Sequence, residues 1–196
     1  MIRDAFSDEQ KAEQRKELLL CVDLFNKNKH VDAVKVLTEL LNECEGTDDF
    51  CAVLSFLAIS YTAAGDARRA VKLYRKALGY DGTRAAIWSS LGMLFCNMGY
   101  IEKAIESYEE AVKYESNAQS YNDLANAYYN CGMYDKAAQN ARMALEKDEK
   151  LYQASALLCM IYHAEGNEEE SERYFKIAVE NGQDPSTLKY ATQRIF

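Results

Sequence analysis

The sequence predicts an all-α protein: a solenoid of about five stacked helical hairpins, closed by a short capping helix at its C-terminal end. Three observations predict it. Gly65, Gly99, Gly132 and Gly166 stand 34, 33 and 34 residues apart, the self-similarity expected of one repeated helical hairpin. Each glycine is flanked on both sides by apolar residues at three- and four-residue spacing, the period of a helix with one buried face. A single proline in 196 residues, beside 48% apolar residues, leaves such helices uninterrupted.

Taken in chain order, residues 1–13 form a charged N-terminal extension of the first helix. Ser7-Asp8-Glu9-Gln10 has the capping-box pattern, so this helix is expected from Asp8 to about Lys27. The first hairpin, 14–47, is degenerate: Glu17 stands where Trp88 stands later, Asn28 replaces the glycine, and Leu40 replaces a small residue. Glu45–Asp49 lengthens the joint to the next hairpin. Hairpins at 51–84, 85–117, 118–151 and 152–185 follow.

The clearest is 85–117. Trp88, Leu91, Gly92 and Phe95 share one helix face. Gly99 ends the helix, because glycine alone takes the left-handed C-terminal conformation without strain. Ala104, Tyr108 and Ala111 form the stripe of the second helix. The same columns recur: Leu20, Leu57, Leu91, Leu124 and Leu158, then Cys21, Ala58, Gly92, Ala125 and Cys159, and in second helices Ala33, Ala70, Ala104, Ala137 and Ser171. Small residues let helices approach closely, and the large ones beside them fill the remaining space. Last, Asp184-Pro185 is a cap followed by proline in a first turn, with Leu188, Ala191 and Ile195 at helical spacing after it. The helix over 186–196 is expected to cover the apolar end of the stack; the alternative is that the tail, ending in Phe196, docks into a neighbouring molecule.

The pattern Trp88-x-x-Leu91-Gly92-x-x-Phe95, with Gly99, Ala104, Tyr108 and Ala111 after it, resembles the tetratricopeptide repeat family over roughly residues 14–185. The resemblance implies a right-handed α–α superhelix whose first helices line a concave surface. The family's usual proline between units is absent; Gly82, Ser116, Glu149 and Gln183 occupy its place.

Composition narrows the function. A net charge of −8 leaves no basic stripe to meet nucleic-acid phosphates or an anionic membrane surface. No apolar run reaches the length needed to span a bilayer, and Met1–Gln14 has no signal-peptide core, so a cytoplasmic protein is expected. None of the six cysteines forms a C-x-x-C pair, and they read as buried thiols in a reducing compartment.

Residues facing the groove lie off the packing stripe at i, i+4, i+7. They are Leu18, Val22 and Phe25; Ser55, Ile59 and Thr62; Ser89, Met93 and Cys96; Asn122, Asn126 and Tyr129; and Ala156, Met160 and His163, with Asn97 and Asn130 at helix ends. The surface is mostly uncharged. Asn122, Asn126 and Asn130 stand one turn apart, and a carboxamide offers donor and acceptor together, able to pair with the backbone of an extended peptide. Met93, Met160, Ile59, Val22 and Phe25 would supply adaptable apolar pockets, although a methionine stripe at helical spacing is more often core than binding site. The lysine, arginine and asparagine clamp by which chaperone-tail-binding family members hold two carboxylates is missing, although Arg15 could make an isolated contact.

No cofactor is expected, and no metal: Cys159 and His163 are i, i+4, but no second pair joins them. Four readings follow. The first is a noncatalytic adaptor or scaffold binding a protein or peptide segment in the groove. The second is a self-associating structural scaffold, the third a secretion-type chaperone, and the fourth a metal or thiol enzyme at Cys159/His163 or Cys96.

Overall fold

The computed structural model describes residues 16, 19–21, 23, 24, 27, 29–44 and 49–193. The N-terminal extension with its Ser7 cap, Arg15, the groove positions Leu18, Val22 and Phe25, and the terminal Ile195 and Phe196 lie outside the described residues. Among the described residues the chain is all α, with no strand, and successive helices pack as stacked hairpins. Its contacts group into two units, residues 1–94 and 95–196.

The first unit holds α1 (His30–Glu43), α2 (Phe50–Ala63), α3 (Ala67–Tyr80) and the first turns of α4 (Ala85–Asn97). α2 packs against α1 on one side and α3 on the other. Phe50, Val53, Leu54, Leu57 and Ala58 are buried along α2, and Ala70, Tyr74 and Ala77 face them from α3. Asp66 caps α3 by accepting from the Arg69 amide at 3.0 Å. The indole N–H of Trp88 donates to the Gly82 carbonyl at 2.8 Å, tying α4 to the turn where the family's proline is missing. Leu20 breaks its column: it is 48% exposed while Leu57, Leu91, Leu124 and Leu158 are buried. It belongs to the most degenerate hairpin.

The second unit holds α5 (Ile101–Tyr114), α6 (Ala118–Asn130), α7 (Tyr134–Lys147), α8 (Tyr152–Ala164), α9 (Glu168–Glu180) and α10 (Pro185–Gln193). Consecutive helices from α5 to α9 pack on one another, and α6 also touches α8. The small columns sit at the tightest approaches, where Ala104, Ala111, Ala125, Ala137, Ala144 and Ala178 are fully buried. Polar ties join neighbouring helices: the Tyr128 hydroxyl donates to Glu109 Oε1 at 2.6 Å, and Arg142 donates to the Tyr162 hydroxyl at 2.6 Å.

The hairpin turns share one cap. At Gly99, with φ of +76°, the Tyr100 amide reaches back to the Phe95 carbonyl at 2.9 Å and the Gly99 amide to Cys96 at 3.0 Å. This is the Schellman arrangement, and the same pair of bonds closes the helices before Gly65, Gly132 and Gly166. It satisfies carbonyls that a helix end leaves open. At the C-terminal end Asp184 accepts from the amides and hydroxyls of Ser186 and Thr187, starting α10. Leu188 of α10 is then buried against Ala156, Cys159 and Ala178.

Candidate functional site

The first helix of each hairpin carries one stripe into the core and leaves another register outside it. In the first unit that outer register is apolar and open: Ile59 is 39% and Met93 53% exposed. Thr62 turns its hydroxyl back to the Ala58 carbonyl at 2.9 Å, and Ser55 does the same to Cys51. Ser89 is half-buried.

In the second unit the asparagines of α6 do not form the expected row of three open amides. Asn122 is 4% exposed, and its buried Oδ1 accepts no hydrogen bond among the described residues. Asn126, half-buried, donates Nδ2 to the Asn122 backbone carbonyl at 2.8 Å. Asn130 is exposed at the helix end. The physical reason is local: asparagine amides compete for carbonyls one turn back, which spacing alone does not reveal. Tyr129 is half-buried with its ring 5.4 Å from that of Tyr134, and burial raises its phenol pKa. Asn97 ends α4, exposed.

On α8, Met160 packs against the Ala156, Cys159, Ala178 and Leu188 cluster. His163 Nδ1 lies 3.2 Å from Glu168 Oε1. A cavity of about 270 Å³ opens beside them, lined by Cys159, His163, Glu168, Ser171, Glu172, Phe175 and Lys189. The Cys159 thiol, 3.6 Å from the Ser171 hydroxyl, is pushed up in pKa by burial. All six cysteines are free thiols. Among the described residues no three potential ligands converge on a metal position.

Spacing missed the floor beneath these helices. The second-helix tyrosines send their hydroxyls between neighbouring first helices. In the first unit the Tyr74 hydroxyl lies beside Thr62 and Ser90, two neutral hydroxyls. In the second, Tyr108 lies beside the Cys96 thiol and near the Asp123 carboxylate. Burial raises the pKa of all three: Cys96, Tyr108 and Asp123. Among the described residues Asp123 is eased by Gln119, whose Nε2 donates to Asp123 Oδ1 at 2.7 Å. The signal was present in the register: Phe56, Ser90, Asp123 and Leu157 are equivalent positions, and only one is charged.

Three comparisons bear on this arrangement. Patterns for the tetratricopeptide repeat match residues 53–86, 85–117 and 117–154. No curated protein sequence matches the chain. Among solved structures, a tetratricopeptide repeat protein from Parabacteroides merdae superposes with a TM-score of 0.80 at 20% identity, over 93% of this chain and 72% of that one. PilF of Pseudomonas aeruginosa gives 0.83 at 14% identity, over 96% and 85%. MamA of Desulfovibrio magneticus gives 0.75 at 17%, over 90% and 97%. At these identities the likeness is one of fold.

Proposed function

Because the chain belongs to the tetratricopeptide repeat family, we propose that it is a noncatalytic adaptor that holds extended segments of partner proteins on the outer register of its first helices. The observation that carries this reading is that register itself. Ile59, Met93, Asn126 and Met160 are equivalent positions, none is fully buried, and the two in the first unit are large apolar side chains, 39% and 53% exposed. Each of these two is already about half buried, so covering the remainder offers a partner roughly 1 kcal/mol per side chain.

In the second unit Asn126, Tyr129 and Asn130 add polar recognition. Asn126 has one amide proton engaged within its helix, which leaves its oxygen as acceptor toward a peptide N–H. Cys96, Asn97 and His163 flank the same unit, and Ser89 and Thr62 the first. Asn122, being buried, takes no part in this recognition. Catalysis has little to work with, since Cys96 and Cys159 are held as thiols by burial rather than activated. No helix among the described residues is long and apolar enough to cross a membrane.

The test is affinity capture with the intact chain and with Asn126→Ala/Asn130→Ala, followed by titration of each captured protein. A groove ligand should weaken by about 1–3 kcal/mol in the variant. Captured proteins that bind both forms equally would overturn the reading.

A further inference from the structure

The Asp123 carboxylate sits in an unusual place for an acid. It is half-buried on the first helix of its hairpin, beneath the outer register, with its Oδ1 taken by Gln119. No described lysine, arginine or histidine pairs with it. Its neighbours Cys96 and Tyr108 can only add negative charge on ionising. The repeats supply an internal control, because the equivalent positions hold Phe56, Ser90 and Leu157. At Ser90 the same tyrosine register is met by hydroxyls and no charge arises. Hairpin packing therefore does not require a carboxylate here.

We propose that Asp123 is a subsite for a basic side chain, arginine in preference to lysine, presented by the bound peptide segment. The inference rests on the groove reading above and names the chemistry of its partner. Charge complementarity argues for this occupant: the chain carries −8 overall, and this acid has no counterion among the described residues. The acceptors are arranged for it. Asp123 Oδ2 is not engaged by Gln119, and Asn126, three residues on, keeps its side-chain oxygen as an acceptor after donating Nδ2 to Asn122. A guanidinium has several N–H groups in a fixed fork and is more weakly hydrated than an ammonium, so it suits a half-buried acceptor set.

The probes are four fluorescein-labelled degenerate peptide pools, identical except for a central arginine, lysine, norleucine or aspartate. Each is titrated by fluorescence anisotropy against the full chain, against Asn126→Ala and against three further variants. Asp123→Asn removes the charge. Asp123→Ser installs the residue that the equivalent register already tolerates. Glu102→Gln removes an exposed charge elsewhere on the second unit. The arginine pool should bind the unmodified chain about tenfold tighter than the norleucine pool, with lysine between. Both Asp123 variants should erase that preference, while Glu102→Gln keeps it.

Arginine and norleucine pools binding alike, and both weakened by Asn126→Ala, would sink the basic subsite and leave the groove standing. An equal loss in Glu102→Gln would reduce the effect to net charge and also overturn it. Failure of every pool to bind at about 1 mM would remove both readings.

Discussion

Asn126 donates its side-chain amide to the backbone carbonyl of Asn122 at 2.8 Å, while the Asn122 side-chain oxygen, buried in the same helix, accepts nothing among the described residues. Two adjacent turns thus hold the same residue type in opposite situations. Asn122→Ala removes an uncompensated buried acceptor and improves helix propensity, and should stabilise the protein by about 1 kcal/mol. Asn126→Ala trades a back-bond for propensity and should stay within about 1 kcal/mol of the parent. Urea unfolding of both variants checks this; a destabilised Asn122→Ala would show that its oxygen has a partner after all.

The glycines separate in the same way. Gly99 holds φ at +76° with open space where a Cβ would stand, so Gly99→Ala meets only backbone strain, expected at about 1–2 kcal/mol. Gly79 lies inside α3, with equally open space and no positive φ. There alanine should stabilise by about 0.4–1 kcal/mol. Opposite shifts in the unfolding midpoint are the expected result, and shifts of the same sign would contradict the capping role of Gly99.

How much of this was legible beforehand follows from what repeats. The glycine period, the leucine and alanine columns and the Asp184-Pro185 start are main-chain and volume requirements, and these recur wherever the packing recurs. The candidate site was legible only as a register. Asn122 and Asn126 look identical by spacing, yet one is buried and the other spends its amide on the first. That difference depends on which carbonyl each amide reaches. Asp123 escaped because it lies one position beside the outer stripe. Comparing Phe56, Ser90, Asp123 and Leu157 across hairpins, rather than reading along one helix, exposes it.

Two aspartates should give opposite pH signatures. Burial raises the folded pKa of Asp123, so its contribution is fully present below the unfolded carboxylate value of about 4 and is lost as pH rises through the folded value. Asp123→Asn should therefore be more stable than the parent at pH 7, with the gap closing towards about pH 4. The hydroxyls and amides of Ser186 and Thr187 hold Asp184 down to about 2, so its contribution is present above about 4 and disappears as pH falls towards 2. Asp184→Asn should differ from the parent at neutral pH and converge with it in acid. Thermal melts across pH 2–8 read both variants together. A pH-independent gap for either would mean that its carboxylate is not the perturbed group.

Leu188 is 2% exposed and is the side chain through which α10 meets Ala156, Cys159 and Ala178. Truncating a buried leucine costs about 2–5 kcal/mol. Because α10 packs chiefly on α8 and α9 among the described residues, that loss should appear as local detachment rather than global unfolding. Leu188→Ala is expected to leave the main unfolding transition in place while opening the Cys159 thiol, now 1% exposed, to solvent. Alkylation with iodoacetamide, localised by mass spectrometry, should speed up about tenfold or more at Cys159 and stay unchanged at the buried Cys51. The uncovered apolar face should also raise the apparent mass in light scattering as concentration rises. Equal acceleration at Cys51 would signal global loosening, and no acceleration at Cys159 would show that α10 is not what shields this end of the stack.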